Sequence, residues 1–271
     1  MLLGRQISNA NKDLLTMVIA RRFGVGSYTW PWAARAKTLT PQVIAERALA
    51  AGLYTIQLCD NIALTGLQTT DFLRGLTIEL GTRGLASVSE TLELAARLNV
   101  PLLRLVIDTH DHEPEPVEII ETVRGFLPQL SAQNCTLALE NHDRLSAKTL
   151  AMIVEAVGSD FVGICLDTAN SIGAGEGLET ILHHLAEHTV CLHLKDIQIR
   201  RVSHLMGFDV FGCEPGTGIV DFKATYAAMG KRCQSVILEQ WPPESVVEEA
   251  WAATGIKIVT ALSPRRAGVR G

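Results

Sequence analysis

Short, continuous apolar runs alternate with longer helix-like segments along most of this chain, and eight such runs stand out. They are Phe23–Ser27, Tyr54–Cys59, Leu76–Glu79, Leu102–Ile107, Cys135–Glu140, Phe161–Asp167, Val190–Lys195 and Gln234–Glu239. Phe161–Leu166, and Leu102–Val106 apart from Arg104, lack the polar alternation of a half-exposed strand. Such runs suit strands buried on both faces, as in an all-parallel sheet. Between them, Thr40 and Pro41 read as the N-cap and first residue of a helix ending near Gly52. After Gly84, the residues Leu85, Val88, Leu92, Ala95, Ala96 and Leu98 recur near the helical period. Pro114 is expected to open a further helix and Ser146 to cap the next. Helices are also expected over Glu176–Glu187, Asp221–Gly230 and Glu244–Ala261.

Eight βα units with no break in composition predict an α/β fold, a single-domain (β/α)8 TIM barrel over residues 21–262. Residues 1–20 are expected to form a poorly ordered extension, and residues 263–271, with Arg265, Arg266 and Arg270, a flexible tail. A doubly wound open sheet is the rival. It would want a glycine-rich phosphate loop after the first strand, and Gly24-Val25-Gly26 has no third glycine before a helix. Apolar residues make up 47% of the chain, enough for a large core, yet no run approaches the about 20 residues of a membrane span. The start has neither a compact apolar core nor a small-residue cleavage site, so it is not read as a signal peptide. A net charge of −5 argues against a surface that tracks nucleic-acid phosphates. None of the six cysteines forms a C-x-x-C pair, which fits a reducing cytoplasm better than a disulfide framework.

The ends of the last four runs carry the chemistry. They read Leu139-Glu140, Leu166-Asp167, Leu192-His193-Leu194-Lys195 and Leu238-Glu239. Barrel enzymes place their sites at the C-terminal ends of the strands. A lone glutamate after a strand is usually solvated, and a lone histidine usually belongs to the core. Four metal-competent side chains on four successive strands are much harder to dismiss. Glu140, Asp167, His193 and Glu239 form an oxygen-rich set that suits Mn²⁺ first, with Mg²⁺ or Co²⁺ as alternatives, in octahedral geometry. No thiolate belongs to the set, which argues against a structural zinc site.

Lys195 lies two residues beyond His193, on the same strand face. It is a candidate to bind a carboxylate or to act as an acid, against the simpler reading of a strand-end lysine reaching solvent. Arg200, Arg201 and His204 form a loop suited to an anionic substrate, with Met206-Gly207-Phe208 as a candidate lid. Glu79 and Arg104 are expected to pair inside the barrel mouth. His142 is a candidate to face substrate, while His110 and His112 read as surface residues. Tyr28, Trp30 and Trp32 are candidates for a pocket wall, with core packing as the rival.

From about Phe23 to Ala261 the chain resembles the xylose isomerase-like barrels, which include sugar isomerases, ketose 3-epimerases and endonuclease IV. The resemblance implies metal ligation by Glu140, Asp167, His193 and Glu239. The segment Pro215-Gly216-Thr217-Gly218-Ile219-Val220-Asp221-Phe222 resembles a glycine-rich turn of the family. The implied activity is that of an isomerase or epimerase acting on a small keto-sugar or sugar acid through a cis-enediolate. Glu140 and Glu239 are the implied base and acid, and Lys195 a further catalytic candidate. His142, Asn170 and Arg200 are the candidates for substrate binding. Two departures shift the expected substrate towards a sugar acid. Asn170 stands where ketose 3-epimerases usually place a histidine, and the loop Asn141–Ser146 lacks their second glutamate. The alternative is a metal-dependent decarboxylase of a 3-oxo sugar acid, as in the 3-oxo-isoapionate decarboxylase branch. A small carbohydrate or sugar acid is the expected partner, with neither nucleic acid nor membrane; the assembly is left open between a homodimer and a homotetramer.

Overall fold

The computed structural model describes residues 21–65, 67, 71–244 and 247–263. The expected N-terminal extension, and the C-terminal tail apart from Ser263, lie outside the described residues. The strands are β1 (Arg22–Gly26), β2 (Thr55–Leu58), β3 (Thr77–Arg83), β4 (Leu102–Val106), β5 (Thr136–Glu140), β6 (Val162–Asp167), β7 (Thr189–Leu194), β8 (Ile197–Arg201), β9 (Phe208–Gly212) and β10 (Ser235–Leu238). Strands β1 to β7 and β10 close into a parallel barrel, with β10 between β7 and β1. The predicted eight-stranded TIM barrel is therefore the fold. Strands β8 and β9 form a separate antiparallel ribbon where the sequence predicts a loop.

The helices are α1 (Pro31–Arg35), α2 (Pro41–Ala50), α3 (Val88–Leu98), α4 (Pro116–Gln133), α5 (Ala147–Val157), α6 (Leu178–Leu185), α7 (Phe222–Ala228) and α8 (Glu248–Leu262). Local chemistry sets several of their ends. The Thr40, Ser146 and Asp221 side chains accept from Val43 N, Thr149 N and Ala224 N at the starts of α2, α5 and α7. Asn99, Asn134 and Gly158 take the left-handed conformation that ends α3, α4 and α5. Other boundaries move. Helix α4 opens at Pro116 rather than Pro114, and α8 at Glu248 rather than Glu244. Helix α6 starts at Leu178, after Glu176, whose carboxylate accepts from Ala147 N at the start of α5. Among the described residues, β2 is followed only by a short 3₁₀ turn, Asp71–Leu73, instead of a full helix. No described helix is long and apolar enough to cross a membrane.

Helix residues such as Ile44, Leu92, Ile119, Leu150, Ile181 and Val259 are fully buried, shielding the outer face of the barrel from water. The lumen is unusually polar and layered. At its floor, Glu79 Oε1 accepts from Arg22 Nη2 at 2.9 Å, and Oε2 accepts from Gln57 Nε2 at 3.2 Å and Ser235 Oγ at 3.1 Å. This corrects the expected Glu79–Arg104 pair. Strand β3 runs on to Arg83, so Glu79 sits near its start, at the opposite end of the lumen from the site. The free thiols of Cys59, Cys165 and Cys191 are buried in the middle tier, and Gln57 donates to Cys191 Sγ at 3.6 Å. Gly81 faces this tier. A Cβ there would overlap Cys59 Sγ, so glycine makes room for the Cys59 side chain beside Arg104.

Candidate metal centre

Glu140 ends β5, Asp167 ends β6, His193 lies one residue before the end of β7, and Glu239 directly follows β10. Asp167 and His193 are register partners on adjacent strands. Parallel strands that all terminate at one barrel rim thus deliver the four side chains to one point. None is more than 2% exposed. One donor atom from each lies within 4.8 Å of the others. His193 Nδ1 is 3.3 Å from Glu239 Oε1, 3.6 Å from Glu140 Oε1 and 3.9 Å from Asp167 Oδ2.

This cage suits a divalent cation. His193 Nδ1 and Glu239 Oε1 are buried without a hydrogen-bond partner, a costly state for polar atoms unless something else engages them. Three carboxylates face two flanking cations, Arg104 and Lys195. Burial disfavours the His193 imidazolium, yet Glu239, Cys191 and Glu140 outweigh it and raise its proton affinity; a small hard cation would take that proton's place among the three carboxylates. Cys165 and Cys191 lie just below, within reach of the His193 ring, but the upper donor set is oxygen-rich.

The surrounding shell orients each ligand. Asp167 Oδ1 accepts from Ala169 N at 2.8 Å and Asn170 N at 3.0 Å, which turns Oδ2 towards the cage. Asn141 brackets the same residue, accepting from Asp167 N at 2.7 Å and donating to Asp167 O at 2.9 Å. Glu140 is gripped on both oxygens. Arg104 Nε contacts Oε2, and Asn170 Nδ2 donates to Oε1 at 2.9 Å. Burial alone would raise the Glu140 carboxyl, but Arg104, His193 and Lys195 together hold it well below the usual carboxylate range. Arg104 also donates to Asp60 Oδ1 at 3.2 Å and lies 5.4 Å from the Tyr28 ring centroid.

Lys195 is buried, not reaching for solvent. Its Nζ is 2.9 Å from Asp167 Oδ2 and 3.3 Å from Glu239 Oε2, and it donates to Asn170 Oδ1 at 3.3 Å. The Trp241 ring centroid is 4.6 Å from Nζ. Burial disfavours the ammonium, yet Asp167, Glu239 and Glu140 outweigh it and raise its proton affinity. Thr168 Oγ1 bonds both backbone groups of Lys195, tying the ends of β6 and β7 together.

Of the residues predicted from sequence, the structure gathers Glu140, Asp167, His193, Glu239, Lys195 and Asn170. It does not bring Arg200 to the cage; that guanidinium lies over Phe211 on the exposed ribbon and donates to Gln198. His142 sits at the rim with Nδ1 2.9 Å from Asp143 Oδ2. Of the aromatic candidates, Trp30 is core, Trp32 donates to Pro242 O, and Tyr28 stands at the mouth beside Arg104. His110 and His112 are exposed, as expected. Sequence reading missed Arg104 as the partner of Glu140, and it missed Asn141, Asp60 and Trp241. It also missed Asp196, whose carboxylate accepts from Ile197, Gly216, Gly218 and Val220 N. The glycine-rich turn was the visible signal: a Cβ at Gly218 would overlap the Asp196 carboxylate.

A family model described as xylose isomerase-like TIM barrel matches residues 28–259. The 3-oxo-isoapionate decarboxylase of Pectobacterium atrosepticum is 28% identical over 263 residues, covering 89% of this chain and 96% of that protein. A xylose isomerase-like TIM barrel protein from Mycobacterium smegmatis, solved with magnesium, superposes with a TM-score of 0.68 at 14% identity, over 91% of this chain and 98% of that one. An IOLI protein solved with a zinc atom gives a TM-score of 0.67 at 16% identity, over 89% and 98%. At these identities the two structures bear on fold alone.

Proposed function

The chain belongs to the xylose isomerase-like TIM barrel family, and within it we propose that this protein is a metal-dependent decarboxylase of a small 3-oxo sugar acid. One observation carries the choice over a two-carboxylate epimerase. Both Glu140 oxygens are already engaged by protein donors, Arg104 Nε and Asn170 Nδ2. An epimerase needs a carboxylate free to exchange protons on each face of the substrate. Glu140 Oε2, Asp167 Oδ2 and Glu239 Oε1 all lack a hydrogen-bond partner, but the Arg104 guanidinium holds Glu140 Oε2 in an ion pair, whereas Glu239 Oε1 faces only the His193 ring. Decarboxylation needs a proton on one face only. The extensive similarity to a 3-oxo-isoapionate decarboxylase supports the same reading.

Glu140, Asp167, His193 and Glu239 would hold the cation, Mn²⁺ by preference with Mg²⁺ or Co²⁺ accommodated. When bound, such a cation stabilises negative charge developing on substrate oxygen. The C1–C2 bond of the acid breaks, CO2 leaves, and the bonding electrons pass into the enediolate of C2 and C3. Lys195 is the proton donor to C2, held in place by Asn170 and Trp241. Asn170 links Lys195 to Glu140, so the acid and one ligand are positioned together. Tyr28 and Trp241 flank the entrance, presenting apolar faces to the sugar carbons.

The test is incubation of the Mn²⁺-loaded protein with 3-oxo sugar acids and with neutral ketoses, in D2O. The expected result is stoichiometric CO2 from the acid and one deuterium at C2 of the product. Deuterium exchange into a neutral ketose without CO2 would replace this reading with the isomerase or epimerase one.

A further inference from the structure

The β8–β9 ribbon departs from the barrel two residues beyond Lys195, and its architecture asks for a partner. Direct cross-strand pairs alternate between its faces. Ile199 with Val210 and Arg201 with Phe208 share one face, whereas Gln198 with Phe211 and Arg200 with Asp209 share the other. Apart from Arg201, whose guanidinium lies over Phe208, the first face is apolar and open to water: Ile199, Val210 and Phe208 are 45, 40 and 59% exposed. At the turn, Leu205 and Met206 are 67 and 83% exposed. A lone two-stranded ribbon is marginal in water, and a contiguous apolar patch of this kind marks a docking surface.

At the base of the same face lies a groove of about 290 Å³ lined by Ile172, Leu178, Ile199 and Ile219. Charge divides the same way. The ribbon carries Arg200, Arg201 and His204 against Asp209, whereas Glu176 lines the groove and the exposed Glu179 follows it. A projecting apolar tip with a basic flank and an apolar groove with an acidic edge therefore occur side by side on one chain. In a two-fold pair each surface meets its complement twice.

We propose that two copies of this chain pair through this face, the Leu205–Met206 tip of one ribbon entering the Ile172–Leu178 groove of the other. The ribbon base packs against the metal centre's own wall, since a Cβ at Gly212 would overlap the Trp241 backbone. Pairing would therefore seat the partner beside the substrate entrance.

The test is sedimentation velocity on the full chain from about 1 to 100 μM, for the wild type, Leu205→Asp/Met206→Asp and Val210→Lys. All substitutions fall on exposed side chains, and Mn²⁺ stoichiometry reports that each variant is folded. The expected result is a wild-type species of twice the chain mass, with each variant shifted at least about tenfold towards the single chain. A wild type that sediments as a single chain throughout, or a folded variant that stays paired like the wild type, would overturn the proposal. The measurement uses no substrate, so its outcome is separate from that of the decarboxylation test.

Discussion

The barrel lumen holds two buried clusters of charge, one at its floor and one at its mouth, built to opposite ends. At the floor, both oxygens of Glu79 are spent on Arg22, Gln57 and Ser235. At the mouth, donor atoms of His193 and Glu239 are buried with no hydrogen-bond partner. A cluster whose carboxylate is fully engaged needs nothing further and serves to fill and stiffen the barrel. A cluster that keeps converging donors unpaired, three of its four ligating groups being carboxylates, is arranged for a ligand. Position agrees, because the C-terminal rim is where barrel enzymes react and the opposite rim is where they are stabilised.

Substitutions separate the two clusters, and the largest effect belongs to a ligand. Asp167→Asn should weaken Mn²⁺ binding by more than the about 10- to 100-fold typical of partners that only orient a ligand, read by calorimetric titration. It should abolish CO2 release while the circular dichroism spectrum is retained. Next comes Lys195→Met. It should lower kcat by about 100- to 10,000-fold, as expected for loss of a general acid, with Mn²⁺ affinity within a few-fold of wild type. A comparable loss of metal would instead make Lys195 a structural counter-ion of the cage. Arg104→Met frees one oxygen of Glu140 and should cost about 10- to 100-fold in metal affinity or activity. The smallest effect at the cage is expected from the floor. Glu79→Ala should leave Mn²⁺ affinity within about twofold and act on stability, by about 1–3 kcal/mol in urea unfolding. That range is modest because Arg22, its ion-pair partner, is 21% exposed and keeps some hydration. Metal loss in Glu79→Ala would erase the distinction between floor and mouth.

How much of this was legible in the sequence follows from physical range. The eight strands show as apolar runs because burial on both faces leaves a local signature. The four ligands show because strand ends register on one rim, so position along each run translates into position in space. Arg104 shows what does not translate. Its place in an apolar run suggests Glu79 as partner, but the choice of Glu140 depends on the lumen layer each side chain occupies. Asp196 left only an indirect trace, the glycine-rich turn, because most of its partners are backbone N–H groups some 20 residues away. The ribbon was missed because its strands are short and exposed, so Ile199 and Val210 alternate with charged residues and read as loop. The departure at Asn170, by contrast, was visible and proved informative: its amide links Glu140 to Lys195.

The most direct test is titration of the metal-stripped full chain with Mn²⁺, in the wild type and in His193→Ala. The cage predicts one saturable site per wild-type chain and its loss in the variant. An absence of saturable binding in the wild type, or an unchanged site in His193→Ala, would contradict the assignment of the four strand-end residues as a metal centre.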